Sequence, residues 1–219
     1  YPEALIQHLP NDWLPYFLFY QGDLSILTEP TLAVFGGENP SSGAQEITAP
    51  LAELLAREGY PVISGYGSGI ERHAVDAVRD RGGMAAILLP MGIGRFDGYL
   101  EQMRDALEES RLIMLSPYLP DAAYSETLAR AREVLVAALS EALFIIAPDH
   151  GPGEWAWLQR FQQRGGKVFV WDDGAGDADD WIRAGGVPFQ ELSGAEDLLH
   201  DLFGTALVEA DEELDEEAI

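Results

Sequence analysis

Cysteine is absent from all 219 residues. That removes disulfides, thiolate metal ligands and cysteine nucleophiles, and leaves the cytoplasm as the default compartment. Lysine is nearly absent: Lys167 stands alone, and every other basic side chain is arginine. No stretch stays apolar over the ~18 residues a membrane-spanning helix needs, so no membrane partner is expected. No secretory leader is recognisable, although a chain that starts at Tyr1 rather than Met leaves room for trimming. Tight metal-ligand spacing is missing, and so is any Ser–His–acid set. Glu38, Glu71, His73, Asp149, His150 and Glu154 therefore read as solvated loop charges. The expectation is no metal, no cofactor and no catalytic residue.

Positive charge is scarce as well. Thirteen basic residues face 38 acidic ones, for a net charge of −25. Such a surface repels nucleic acid and anionic membranes at long range, so any phosphate contact must rest on locally gathered arginines. Plain solubility explains the same acidity without any ligand. What is plentiful is core material: 47% of residues are hydrophobic and 10% aromatic, ample for one folded domain.

The chain divides into three parts. Residues 1–30 form an aromatic lead-in punctuated by Pro10 and Pro15, read as a short helix and an extended arm packed on the core. Residues 31–204 alternate apolar runs with amphipathic stretches. Strands are expected at Leu32–Phe35, Pro61–Ser64, Met84–Leu89, Leu112–Leu115, Leu143–Ala147 and Val168–Trp171. Helices are expected near 44–58, from Arg72, and near 99–108, 125–139, 154–164 and 181–184. The runs are continuous rather than alternating, so both sheet faces should be covered. This predicts an α/β fold: a doubly wound, mainly parallel, Rossmann-like sheet of about six strands. Residues 205–219 are an acidic tail with little to bury.

In such a sheet, ligands bind beyond the carboxyl ends of the strands. Four glycine-rich loops fall on that rim. They contain Gly36, Gly37, Ser41, Ser42 and Gly43; Ser64, Gly65, Gly67, Ser68 and Gly69; Gly92; and Gly151 with Gly153. Strands that break at glycines and hand over to helices leave free backbone N–H groups suited to an anion. None is a Walker loop, and the strict dinucleotide spacing is absent. A nucleotide- or phosphate-sized pocket is the expectation. Trp155, Trp157 and Phe161 read as helix packing. They also mark the patch through which a homodimer would form, if one core cannot hold them all.

The order of these segments resembles the Rossmann-type domain of the DprA/Smf family, the DNA-processing proteins of bacterial transformation. The resemblance runs from about Tyr1 to Glu191. It rests on Tyr1-Pro2-Glu3, Tyr20-Gln21-Gly22-Asp23, Ser41-Ser42-Gly43, Ser64-Gly65, Gly69-Ile70-Glu71, Gly92, Leu115-Ser116 and Ala138-Leu139-Ser140. More distantly the chain is similar to the lysine-decarboxylase-like (LOG) phosphoribohydrolases. The resemblance implies a non-catalytic protein that binds single-stranded DNA, delivers it to a recombinase during DNA uptake, and pairs as a homodimer. It also places Arg132 where both families face a phosphate.

The departures have a direction. Glu38 stands where an arginine is usual, Ser68 where a basic residue is usual, Glu71 where an Asp is usual, and Arg132-Glu133-Val134 replaces Arg-Asn-Arg. The Ser-Gly-Ser loop becomes Pro152-Gly153-Glu154. The LOG catalytic carboxylates align with Ala156 and Trp157. Each lost guanidinium removes a charge-assisted bond, and each added carboxylate repels phosphate. Two alternatives to the DNA reading therefore stay open: a nucleotide or sugar-phosphate module, and a partner-binding scaffold that has lost its ligand site. Arg132 lies between Leu128 and Leu135 on the apolar stripe of its helix. Its head reaches the pocket, pairs with Glu38, Glu71 or Glu154, or snorkels to water.

Overall fold

The computed structural model describes residues 1–195, 197–201 and 203, with residues 97–99 described for backbone only; the expected acidic tail lies outside these. Among the described residues seven strands run parallel: β2 (Thr31–Gly36), β3 (Val62–Ser64), β4 (Ala85–Leu88), β5 (Leu112–Ser116), β6 (Ser140–Ile146), β7 (Lys167–Trp171) and β8 (Val187–Phe189). An eighth, β1 (Phe19–Gly22), comes from the aromatic lead-in and closes one edge antiparallel to β5, with Phe19 opposite Ser116 and Gly22 opposite Ile113. The sheet order is β1-β5-β4-β3-β2-β6-β7-β8. The six expected strands are all present. The two unforeseen ones are the outermost.

The helices with them include α1 (Glu3–His8), α2 (Ser42–Arg57), α3 (Ile70–Asp80), α4 (Asp97–Glu108), α5 (Glu126–Ala138), α6 (Leu158–Gln163) and α7 (Asp179–Arg183). The strand residues alternate between two separate cores, as a period of two requires. Leu32, Val34, Val62, Ile87 and Met114 face α2, α3 and α4. Ala33, Phe35, Ile63, Leu88 and Ile113 face α1, α5, α6 and the α7 residue Trp181. Burial on both faces explains why these strands read as unbroken apolar runs.

Chain order runs outward from β2 through β3 and β4 to β5, and then returns to β6 on the other side of β2. The connections after β2 and β6 therefore diverge, which opens a crevice at their carboxyl ends. The aromatic patch proposed for dimer contact is not on the surface. Trp157 and Phe161 are buried, and Trp155 stacks on Trp157 at 4.8 Å, meets Phe35 at 4.9 Å and meets Trp181 edge-on at 4.6 Å. The second core has room for all of them because Phe35 and Trp181 complete the cluster.

Candidate functional site

The crevice holds a cavity of about 130 Å³. One wall is aromatic, from Phe35 at the end of β2 and Trp155 after β6. Gly67 and Ser68, ahead of α3, close a second side, and α5 supplies Glu126, Arg130, Arg132 and Glu133. The loops after β2 and β6 add Glu38, Asp149 and His150.

Arg132 is the structural centre of this site. Its helix starts with Ser125 as the cap, whose hydroxyl accepts from the Leu128 N–H at 3.2 Å. Arg132 is 4% exposed, and its guanidinium lies flush against the backbone of Gly65. A Cβ at residue 65 would sit 1.7 Å from the guanidinium carbon, so no other residue type fits beneath this arginine as it stands. Nη2 donates to Glu71 Oε2 at 3.0 Å. Nε and Nη1 are sealed from solvent and meet no acceptor. A buried guanidinium with two idle donors carries a desolvation cost that an incoming acceptor would relieve.

Glu71 explains where the expected anion seat has gone. Its Oε2 also accepts the Gly67 N–H at 3.1 Å, so one carboxylate oxygen takes both a loop amide and the arginine. The same thing happens on the neighbouring loop, where Glu38 N–H donates to Asp149 Oδ2 at 2.7 Å. The first amide of α3, Ile70 N–H, donates to Gly37 O at 3.1 Å. That close approach of the two loops requires Gly69 at φ +72°, where a Cβ would lie 2.1 Å from Gly37 O. The glycine loops thus supply the chain's own carboxylates and carbonyls with the amides that a phosphate would use.

Of the sequence-expected residues, Gly36, Gly67, Ser68 and Arg132 line the cavity. Gly37, Ser64, Gly65 and Gly69 lie behind it: Ser64 accepts from Tyr66 N–H and donates to Glu71 O, both at 3.4 Å. Ser41 caps α2 through Ala44 N–H, with Ser42 and Gly43 opening that helix outside the cavity lining. Gly92 N–H bonds Ala122 O at 2.9 Å, Gly151 precedes a short 3-10 turn (Pro152–Glu154) and Gly153 lies within it; none of the three lines the cavity.

Three functional-looking residues had little or no signal. Arg130 reaches Glu154 Oε2 and His150 Nε2, both at 3.0 Å, and so pins the β6–α6 loop to α5; it lines the cavity beside Arg132. Glu133 is half-buried, and desolvation pushes its carboxyl up to about 7 against the opposing pull of Arg132. Trp155 read as packing, and it does pack, but one side of it faces the cavity. Of the six residues read as solvated loop charges, Glu38, Glu71, Asp149 and His150 line the cavity, with Glu71 buried and paired rather than solvated, whereas Glu154 lies outside its lining and His73 sits in a separate depression with Glu38, Asn39 and Gln45. Among the described residues no group of three or more such side chains could hold a metal ion.

A three-layer doubly wound sheet with its cleft where chain order reverses defines the class: a Rossmann-type domain. The family follows from comparison. Residues 1–186 match the model of DNA recombination-mediator protein A, and the chain belongs to that family. DNA processing protein DprA of Bacillus subtilis is 22% identical over 159 residues, 71% of this chain and 53% of that protein. The chain thus spans about half the length of this curated relative. Among solved structures, DprA from Streptococcus pneumoniae superposes with a TM-score of 0.71 at 23% identity, covering 87% of this chain and 68% of that one. DprA from Helicobacter pylori, a protein that binds single-stranded DNA, also gives 0.71 at 23% identity, over 92% and 94% of the two chains. No helix among the described residues is long and apolar enough to cross a membrane.

Proposed function

We propose that this chain is a non-catalytic DNA-handling module that receives one nucleotide unit of a single strand in the cleft between β2 and β6. The observation that carries this is Arg132, buried beside the cavity with Nε and Nη1 lacking any acceptor. Family membership supports the same reading, as does the position of the cleft at the crossover of the sheet. The acidic lining limits the contact to a unit or two, because Glu38, Glu126, Glu133 and Asp149 would repel a tracked phosphate backbone. Delivery of the strand to a recombinase, and pairing of two copies, belong to the same proposal and rest on the family relation.

Fluorescence anisotropy with a labelled 20-nucleotide strand of mixed sequence, at 20 mM and 150 mM salt, tests it. Saturable binding at micromolar concentrations is expected. No binding at either salt would overturn the reading. A second reading, a module for a free nucleotide, is favoured by that acidic lining; thermal stabilisation by mononucleotides without strand binding would select it.

A further inference from the structure

We propose that the cleft reads a nucleobase rather than a phosphate, and that the base edge it fits is a carbonyl beside two N–H donors, the edge of guanine and of pterins. The inference deepens the single-strand reading above and rests on it.

Three observations converge. The phosphate seat is taken, since Glu71 Oε2 already accepts from Gly67 N–H and Arg132 Nη2. A phosphate would have to displace a buried carboxylate and then face the other acids of the lining. Second, the cavity has an aromatic wall. Trp155 is held by Phe35, Trp157 and Trp181, which gives a planar base a rigid surface to stack on at little entropic cost. Third, α5 presents opposite hydrogen-bonding demands at consecutive positions. Arg132, which lines the cavity, has two donors that meet no acceptor and are sealed as the side chain stands, so a base carbonyl reaches them by a small shift of the guanidinium, whereas the ionised carboxylate of Glu133 accepts only.

Base edges answer these demands differently. Guanine offers O6 as acceptor and then N1–H and N2–H as adjacent donors, which a single carboxylate takes in a paired arrangement. Adenine and cytosine each pair one amino donor with a ring-nitrogen acceptor, which would sit against the carboxylate. Thymine has one donor between two carbonyls. Among the four DNA bases, guanine alone satisfies the arginine and the carboxylate together.

Unphosphorylated probes separate the base from the phosphate. The whole chain at pH 8 would be titrated calorimetrically with guanosine, inosine, adenosine and a simple pterin, and by anisotropy with oligo(dT) and a strand of the same length containing guanines. Guanosine is expected to bind at least tenfold more tightly than adenosine, and inosine, which lacks the 2-amino group, to fall between them. Glu133→Gln should cost guanosine tenfold or more and leave adenosine unchanged. If the pterin outcompetes guanosine, the edge is right and the source is a pterin. Equal binding of guanosine and adenosine, or Glu133→Gln without effect on guanosine, overturns the base proposal. If oligo(dT) then binds as well as the guanine-containing strand, the single-strand reading survives without it. Failure of every nucleoside and both strands overturns both.

Discussion

Arg132 and Glu71 form a buried ion pair, at 5% and 11% side-chain exposure, and that burial sets what each contributes. Desolvating two charges costs about as much as their attraction returns, so the pair is a weak source of net stability; breaking it is another matter. Arg132→Met should destabilise the fold by about 3–5 kcal/mol, because Glu71 is left buried with only the Gly67 amide. The double variant Arg132→Met/Glu71→Gln should recover much of that loss in urea titrations. Equal losses in the single and double variants would mean the pairing is incidental. Glu133 behaves in the opposite sense. Burial lifts its pKa to about 7, so between the ordinary glutamate range and 7 the folded state holds a proton that the unfolded chain has released. Stability from this group is present in full below about 4.5 and is lost as pH rises through 7. With part of the side chain exposed, about 1–2 kcal/mol is the expected scale. Glu133→Gln should therefore be more stable than the parent at pH 8 and nearly equal to it at pH 4.5. A constant difference across that range would refute this assignment.

At the scale of elements, what the sequence revealed depended on how each element is buried. β2 to β7 are covered on both faces and announce themselves as apolar runs, so their positions were legible to within a few residues. β1 has one half-buried and three exposed positions, and β8 buries only Phe189; with so little apolar pattern, both passed as extended arm or loop. β1 joins the sheet through backbone hydrogen bonds to β5, which no side-chain periodicity records. The same logic governs the site. Glycines mark four strand ends, but those of only two of the loops line the cavity, and a glycine cannot say whether the group approaching it is a ligand or the chain itself. At Gly65 that group is the Arg132 guanidinium, and at Gly69 it is the Gly37 carbonyl. Glu71 was visible as a Glu where an Asp is usual, in the first turn of α3, yet its role depends on Arg132 of α5, 61 residues further along the chain. Trp155 is a packing residue that also serves as a wall, and composition alone cannot separate those two uses.

Over the whole molecule, a net charge of −25 on 219 residues must be held within one folded surface. Self-repulsion of that size disfavours the compact state, and added salt relieves it. The exposed pairs such as Arg57–Glu58 and Arg81–Glu53 weaken under the same screening, but each contributes at most a fraction of a kcal/mol. With 13 cations available to 38 acids, most carboxylates have no partner to lose. Repulsion should therefore dominate the response. Raising sodium chloride from 20 to 500 mM shortens the screening length from about 20 to about 4 Å. The expected gain is about 1–2 kcal/mol, seen as a rise in melting temperature of roughly 2–8 °C. Guanosine carries no charge, so its affinity should stay constant across the same series once the folded fraction is accounted for. A DNA-binding domain led by phosphate contacts would lose strand affinity steeply over that range. Here the acidic surface meets the strand first and screening eases the approach, so strand affinity should hold or rise with salt. A steep fall, together with a flat melting temperature, would mean that a local arginine cluster and not the overall charge governs how this protein meets its ligand.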